Sequence, residues 1–587
     1  MNKPLCTNWN ILLPESIRIF LIFYAGLLAA KAVTILILLK GRPSIITEYN
    51  DFESDITWPI IFGVIHSDAL IVCILLGITL LAVFSGRTIT GFMFSCALTA
   101  LTILYIADFF CLTFLNNRLI IHDIPRYVIS FKWITLAILG AITLLLISIY
   151  RKPFCKDEHN PGFASLIIPT ALLLFYVTPL DSNVNYMKYD LFTNNFIENN
   201  LDLTYLKKYS NNEMLADLYS MTYRNVQGEG KRDNVIMLIL ESGSAVDSSK
   251  TSGLHNLMPQ FDKIQSEGIT YTNFIANSFA TDTALISLLK GIATIPFTNN
   301  ADNYNKFKTT EIPLPQIFKE QGFKTYFITT GPLSFLNKES FLKEAGYEYI
   351  LGSESFENKK KYTFWSAPDA ELYATTIGHL GDLRAREEPY FMTLLTISQH
   401  LPYYTPYGFG KNNMYRYTDD TLYTLYESLK EMGFFDNGML IIIGDHRKMT
   451  PLESNEYEKY GISSYGRIVC TVIGKDIPKH LIDHGIYQQT DIYYSLKRMF
   501  SDNIITTPKY NDIFTGAKQR PFSINANIHS NKNLLAVITD NNACTVKLNG
   551  DNTRLLNCPI QQSLQREALD YINTTRANQI HINQQMN

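Results

Sequence analysis

Four short polar clusters, far apart in the chain, carry groups capable of metal-assisted chemistry: Glu241-Ser242, the threonine of Asn277-Ser-Phe-Ala-Thr281-Asp-Thr283-Ala, Ser398-Gln399-His400 and Gly444-Asp445-His446. Two carboxylates and an imidazole suit a divalent cation, and catalytic sites of that kind keep one position for a nucleophile or substrate. A threonine hydroxyl offered to the cation has its pKa lowered and can act as an alkoxide. Thr281 stands just ahead of an apolar run, 285–289, that reads as a short helix, and exposed amides and the helix dipole favour an anion such as phosphate there. Each signal is weak by itself. A Glu after a strand is usually a loop residue, and Thr281 or Thr283 also reads as an ordinary N-cap.

The clusters gain weight from the elements ahead of them. From residue 234 on, apolar runs of strand length alternate with helix-like segments, at 235–240, 325–329, 390–397, 439–443 and 468–473. Such continuous runs predict an α/β domain whose sheet is covered by helices on both faces. Glu241 follows the first run, His400 the third and Asp445-His446 the fourth, and ligands in open α/β sheets bind outside the carboxyl ends of the strands. An amphipathic helix is expected over 418–432, ended by Gly433, and another over 370–380 with Ser366 and Asp369 at capping-box spacing. Beyond about residue 505 the alternation weakens to a hairpin around Asn549-Gly550-Asp551 and a final helix over 560–574. Cys544 and Cys558 flank that hairpin, as a disulfide if the domain lies outside the cytoplasm or else as two thiols. With no Cys-x-x-Cys anywhere, the 8 cysteines give no zinc pattern.

The front of the chain is different. The 587 residues are 47% hydrophobic and only 18% charged, and the excess is concentrated in five apolar stretches, 16–39, 58–84, 89–115, 129–150 and 162–180. They are apolar all round and closely spaced, which predicts membrane-spanning helices. Arg151, Lys152 and Lys156 favour a cytoplasmic loop between the fourth and fifth, which sends the C-terminal part outside. Asp108, within the third, reads more simply as a helix-packing hydrogen bond than as part of a pathway. Residues 181–233, rich in Asn, Tyr and Leu, are expected to be a linker of short helices. A net charge of −3 without a basic run gives no electrostatic footprint for nucleic acid, which excludes that partner.

Taken together the clusters resemble those of the extracytoplasmic lipid head-group transferases of the alkaline phosphatase and sulfatase superfamily, especially lipoteichoic acid synthases and related phosphoglycerol transferases. Leu240-Glu241-Ser242 looks like that family's first metal motif, Thr281 with Ala284 its nucleophile segment, Thr396-Ile-Ser-Gln-His400-Leu-Pro402 its Thr-x-x-x-His-x-Pro segment, and Gly444-Asp445-His446 its final metal pair. The resemblance implies a five-helix transmembrane domain over 1–180, a linker over 181–233, a sulfatase-like domain with a central mostly parallel sheet over 234–505, and a C-terminal extension over 506–587. It implies Thr281 and His400 as catalytic residues and one divalent ion held by Glu241, Thr281, Asp445 and His446, with Mn2+ ahead of Zn2+ or Mg2+. The donor would be a membrane phospholipid, phosphatidylglycerol first, and the acceptor a glycan, lipid or polymer hydroxyl. A chain of this kind sits in the bacterial cytoplasmic membrane with its catalytic domain outside.

Two departures stand out. The family's Ser-Phe-Trp-Asn-Arg stretch, which helps bind glycerol phosphate, is matched by Ser334-Phe-Leu336-Asn337-Lys338. An aromatic face and a bidentate guanidinium are thus replaced by leucine and a point charge, so Lys338, Asn337 and His400 would contact the substrate differently. His446 is followed by Arg447-Lys448, which reads either as a basic rim meeting lipid phosphate or as a solvated loop. Sulfatases proper carry a Cys or Ser in a Cys-x-Pro-x-Arg setting that this segment lacks, so phosphate chemistry is preferred. Competing readings are a phosphoethanolamine transferase on phosphatidylethanolamine, a phosphatase, and an inactive membrane receptor or scaffold.

Overall fold

The computed structural model describes residues 234–586, apart from 298–302, 357–359, 402, 451, 502–504, 527, 529–533, 550–551 and 557, together with 221–223 and the helical positions 96, 99, 100, 103, 104 and 107. The chain divides into two compact units, Met1–Asn200 and Leu201–Asn587. Apart from those helical positions inside the third, the five expected spans and Asp108 lie outside the described residues. Among the described residues, no helix is long and apolar enough to cross a membrane.

The second unit is built on an eight-stranded sheet. In chain order its strands are β1 (Asn234–Leu240), β2 (Ile269–Tyr271), β3 (Lys324–Thr329), β4 (Tyr349–Leu351), β5 (Tyr390–Leu395), β6 (Gly438–Gly444), β7 (Cys470–Gly474) and β8 (Leu481–Asp483). Across the sheet they run β8-β2-β7-β6-β1-β5-β3-β4. The five from β6 to β4 are parallel neighbours, and β7 lies antiparallel to both β6 and β2.

Alternation of side chains explains why β1 reads as an unbroken apolar run. Val235, Met237 and Ile239 enter one hydrophobic cluster while Ile236, Leu238 and Leu240 enter another on the opposite face. β6 divides the same way, Met439, Ile441 and Ile443 to one side and Leu440 and Ile442 to the other. On the first face lie α1 (Thr281–Lys290), through Leu285, Ile286, Leu288 and Leu289, and α4 (Gln489–Phe500), through Ile492, Tyr493 and Leu496. Gly291 ends α1 at φ 68°, and a Cβ there would lie 2.3 Å from the Tyr493 ring, so the position needs glycine on both counts. On the second face lie α2 (Asp369–Ala385), through Leu372 and Leu380, and α3 (Lys411–Glu431), through Leu422 and Leu425.

Several expected boundaries move. The run 468–473 is broken: Arg467–Ile468 pairs with Phe274–Ile275 in a separate three-stranded sheet, and Val469 turns away to exchange hydrogen bonds with Gly243 and Gly444. β5 stops two residues short of 397 because the amides of Ile397 and Ser398 donate to the Asp369 carboxylate (3.2 and 3.1 Å) rather than to a strand. That bonding also dissolves the expected capping box, since α2 is capped at Pro368 with no side-chain bond. α3 starts seven residues before 418, and Gly433, at φ 68°, follows its end. Within the expected helical linker, Met221–Tyr223 is a strand paired antiparallel with Ile505–Thr507.

The C-terminal part is an antiparallel sheet, β9 (Ser523–Ala526), β10 (Leu534–Ile538), β11 (Ala543–Asn549) and β12 (Asn552–Leu556), covered by α5 (Gln562–Met586). Its apolar face packs Ile524, Leu535, Val537 and Val546 against Ala568 and Ile572, together with Ile295 from beyond α1. β11 and β12 are the expected hairpin, Cys544 and Cys558 are joined as a disulfide across it, and α5 runs twelve residues past 574. Arg520 ties this part to α4 by a bidentate pair with Asp491 (2.8 and 3.1 Å), both side chains being buried.

Breaking a buried pair leaves an uncompensated charge, whereas an exposed pair contributes little. Arg520→Met should therefore lower the unfolding free energy of the full chain by about 3 kcal/mol or more. Lys479→Met, which removes an exposed partner of Glu267, should change it by less than about 1 kcal/mol. Denaturant unfolding of the two variants side by side checks both values.

Candidate active site

β1 and β6 are parallel neighbours with Leu240 opposite Gly444, so the residues just beyond them leave the sheet side by side. Glycine permits the approach: a Cβ on Gly243 would sit 2.7 Å from Gly444 Cα, and one on Gly444 2.2 Å from the Gly243 carbonyl oxygen. Ser242 takes the left-handed backbone region at φ 55°, sparsely populated for a residue with a side chain. The turn it makes aims its amide at Asp445 Oδ1 (2.7 Å) and its hydroxyl at Glu241 Oε1 (2.9 Å). The His446 amide adds a second donor to Asp445 Oδ1 (2.7 Å).

These contacts bring Glu241, Asp445 and His446 together as a buried group whose ligand atoms all lie within 4.8 Å of one another. The Arg447 carbonyl engages His446 Nδ1 at 2.9 Å, and Nε2 faces the carboxylates, 3.3 Å from Asp445 Oδ2 and 3.7 Å from Glu241 Oε1. Thr281, the first residue of α1, completes the cluster. Its Oγ1 lies 2.8 Å from Asp445 Oδ2, 3.3 Å from Glu241 Oε2 and 3.5 Å from His446 Nε2. The helix is capped at Ala280 with no side-chain bond, and Thr283 donates to the Ala280 carbonyl at 2.7 Å. Thr281 is thus not an N-cap, and it is only half-buried while the three groups around it are sealed.

Electrostatics mark the cluster as short of positive charge. Burial, then the facing Glu241, pushes the Asp445 carboxyl up to about 7. Burial pulls His446 down, but Asp445 and Glu241 outweigh it and leave the imidazole raised. Two carboxylates sharing a dry site cannot both be charged without a partner, and a divalent cation bound by three such ligands removes that conflict. The donor set therefore fits a metal ion.

Lys338 stands apart from the other basic residues. It is 5% exposed, burial draws its ammonium down, and Glu241, Asp282, Asp445 and Glu354 are the charges that act against this. Among the described residues no hydrogen bond or ion pair engages its ammonium. It follows a turn in which Leu336 and Asn337 are both left-handed (φ 55° and 58°), and the exposed Asn337 does not join the cluster. Nor does His400, whose Nδ1 faces the Leu401 carbonyl at 2.6 Å and whose ring meets Phe364 at 4.2 Å.

Arg447 and Lys448 correct an expectation. Both are 2% exposed, so they form neither a basic rim nor a solvated loop. Arg447 makes a bidentate pair with Glu456 (2.9 and 2.6 Å), and Lys448 pairs with Asp247 (2.6 Å) and Glu453 (3.2 Å). The Lys448 amide also donates to Ser244 Oγ (2.7 Å), which locks the turn carrying His446.

Sequence reasoning missed other positioning residues. Gln489 Nε2 donates to the carbonyls of Gly444 (3.1 Å) and Asp445 (2.6 Å), while its Oε1 accepts from the Asn277 amide (3.0 Å). One side chain thus joins the threonine segment to the Asp445 turn. Asp369 fastens Thr330 and the amides of Ile397 and Ser398 ahead of His400. Asp282, beside Thr281, accepts from Asn303 at 2.8 Å. A buried glutamine at a helix start carries no pattern of its own in sequence; only the pairing of strands brings these partners together.

Residues 233–501 match the family model described as Sulfatase. They form a sulfatase-family domain. Its curated relatives include lipoteichoic acid synthase 1 of Bacillus subtilis (strain 168), 22% identical over 389 residues, 58% of this chain and 57% of that protein. Phosphoglycerol transferase I of Xanthomonas campestris is 21% identical over 273 residues, 42% of this chain and 38% of that protein. The matched part of the chain thus spans about half or less of these relatives. Among solved structures, a protein of the alkaline phosphatase superfamily from Vibrio parahaemolyticus superposes with a TM-score of 0.51 at 20% identity, covering 66% of this chain and 97% of that one. The lipoteichoic acid synthase LtaP from Listeria monocytogenes gives 0.50 at 15%, covering 63% and 97%. The sulfatase-like fold, with its central mostly parallel sheet, is therefore shared with both.

A ligand that binds only the native state stabilises it by about 2.7 kcal/mol at about a hundredfold excess over its Kd. Mn2+ should therefore raise the unfolding midpoint of the full chain, and Asp445→Asn should abolish that rise. Thermal unfolding with and without Mn2+ reads the outcome directly; equal shifts in both proteins would remove Asp445 from the ligand set.

Proposed function

We propose that this chain moves a phosphoglycerol head group from phosphatidylglycerol to a hydroxyl of a glycan, lipid or growing polymer, through a phospho-Thr281 intermediate. The observation that carries the reading is the Thr281 hydroxyl held 2.8 Å from Asp445 within the Glu241, Asp445 and His446 group. The names of the curated relatives, a lipoteichoic acid synthase and a phosphoglycerol transferase, point to the same substrate class.

Glu241, Asp445, His446 and Thr281 would hold one divalent ion, Mn2+ first, which when bound supplies a Lewis acid that lowers the hydroxyl's pKa. In the first step Thr281 Oγ forms a bond to phosphorus, the bond from phosphorus to the glyceride oxygen breaks, and diacylglycerol leaves with a proton. In the second, the acceptor oxygen bonds to phosphorus, gives up its proton, and Thr281 regains its hydroxyl. Thr281 sits in the first turn of α1, where the helix dipole favours the phosphate it would carry. His400, half-buried on the loop after β5, would hold a phosphate oxygen or pass a proton to the leaving or entering alcohol once the donor is bound. Lys338, whose ammonium meets no hydrogen-bonding partner among the described residues, supplies positive charge beside the carboxylates when the anionic donor enters. Leucine at 336 and lysine at 338 give the head group less geometric definition than a tryptophan and an arginine would.

The setting follows from the same reading. The five apolar stretches would anchor the chain in the bacterial cytoplasmic membrane, with the catalytic domain outside. A disulfide between Cys544 and Cys558 suits that oxidising compartment.

Incubating the full chain with vesicles of phosphatidylglycerol or phosphatidylethanolamine, followed by mass analysis of the Thr281 peptide, tests the proposal. Phosphoglycerol on Thr281 is expected; phosphoethanolamine would reassign the donor. Thr281→Ala should carry no adduct and lose diacylglycerol release by on the order of 10³-fold or more. Release at the wild-type rate would rule out the covalent step. Lys338→Met should raise KM for the anionic donor about tenfold, the size of one charge-assisted contact.

A further inference from the structure

The exposed apolar side chains of the described residues are not scattered. Of the ten large ones, five (Phe364, Trp365, Leu401, Tyr407 and Phe409) fall in two segments, 362–365 and 400–409. Single exposed hydrophobics need no explanation, but a contiguous group does. These two segments form one surface. Thr363 Oγ1 donates to the Tyr404 carbonyl (3.1 Å) and accepts from the Tyr404 amide (2.8 Å), the Tyr362 and Tyr404 rings lie 5.1 Å apart, and Tyr404 stacks on Phe409 at 4.0 Å. Phe364 joins the surface to the candidate site through its 4.2 Å contact with His400.

Backbone strain adds a second, independent observation. Phe364 and Trp365 are consecutive residues in the left-handed region (φ 56° and 58°), a conformation disfavoured for bulky side chains. The turn is closed by bonds from Trp365 N to the Tyr362 carbonyl and from Tyr362 N to the Ser366 carbonyl, both 3.0 Å. Its product is an indole 63% exposed, and the Phe409 ring stacked on Tyr404 is 67% exposed. Water rewards neither the strain nor the exposure, and strain held by surrounding structure points to function.

The chemistry of the rim selects its partner. Lys360 lies 5.3 and 5.9 Å from the Tyr362 and Tyr404 rings, and the Arg416 guanidinium lies 5.0 Å from the Tyr407 ring. Asp420 accepts from the Tyr407 hydroxyl at 3.2 Å. Aromatic rings interleaved with Lys and Arg are the composition of groups that sit at a bilayer interface, where anionic head groups attract the cations. Leu401 and Phe409 offer no side-chain hydrogen-bonding atom to a sugar, which favours acyl chains over a glycan.

We propose that the Phe364-Trp365 turn, Leu401 and the hairpin in which Tyr404–Thr405 pairs with Gly408–Phe409 dip into the interface of an anionic phospholipid bilayer and seat the mouth of the Thr281 site on the membrane. The inference rests on the reading that the donor is a phospholipid. It adds the surface by which the domain reaches that donor.

The test uses the full chain reconstituted in vesicles of phosphatidylcholine and phosphatidylglycerol with brominated acyl chains. Of the 4 tryptophans, Trp9, Trp58 and Trp133 are replaced by Phe, so that Trp365 alone reports. Quenched, blue-shifted emission is expected; unquenched emission at the position typical of water overturns the proposal. This readout needs no turnover and decides the question even if the transfer reaction is misassigned. A second arm leaves the tryptophans in place and combines Trp365→Ser with Phe409→Ser. Diacylglycerol release from vesicles should fall about tenfold, since interfacial binding scales with buried apolar area, while release from a water-soluble short-chain donor stays unchanged. No loss on vesicles, or equal loss on both donors, contradicts a docking role. A wild-type chain inactive on both donors instead counts against the phospholipid reading.

Discussion

Two buried carboxylates and an imidazole share one corner of the sheet, and the repulsion between the two carboxylates is the constraint around which this domain is organised. Glu241 and Asp445 sit at the ends of parallel neighbours β1 and β6, so nothing in the sheet separates them. Burial forbids relief by water, and the raised Asp445 carboxyl records the conflict. The fold does not remove it by moving the groups apart. It holds them together with the Ser242 and His446 amides on Asp445 Oδ1 and the Ser242 hydroxyl on Glu241 Oε1, which leaves Asp445 Oδ2 and Glu241 Oε2 turned toward Thr281.

Holding like charges together requires a rigid frame, and the residues after His446 provide one. Arg447 with Glu456 and Lys448 with Asp247 are buried pairs, each contributing little net stability by Coulomb attraction once desolvation is counted. Their value lies in specificity. A planar guanidinium gripping Glu456 while donating to the carbonyls of Lys448 and Thr450 allows the His446 turn few alternative paths. Gln489 does the same from the other side, tying that turn to the segment that delivers Thr281. Thr281 and its neighbours are thus held by α4, through Gln489, and by the paired segments that follow β6.

What sequence disclosed follows from this arrangement. Strands buried on both faces are continuous apolar runs, so β1, β3, β5 and β6 were legible within a residue or two, and with them the positions of Glu241 and Asp445-His446. Thr281 was legible because a helix begins there. The misreadings share a cause, namely side chains whose partners lie far away in sequence. Asp369 looked like a local cap because its spacing to Ser366 is right, yet it bonds to Thr330 and to amides at 397 and 398. Arg447-Lys448 looked solvated because two adjacent cations usually are, and the acids that bury them, Asp247 and Glu456, belong to segments with no pattern. Val469 broke an apparent strand because its amide is claimed by Gly243.

Lys338 follows the same logic at the edge of the cluster. A lysine 5% exposed whose ammonium meets no hydrogen-bonding partner among the described residues is unfavourable in a folded protein unless something anionic completes it. The carboxylates of Glu241 and Asp445 lie close enough to act on its ammonium, but a cation bound among them would compete for their charge. With that cation present, the group best suited to Lys338 is a further anion entering from the open side, where Thr281 is half-buried. A phosphate diester fits that requirement, because it carries a single negative charge that the metal and the ammonium can share and leaves its ester oxygens for proton transfer. On the docking proposed above, the aromatic rim that meets His400 would bring such a diester to the domain still attached to its acyl chains.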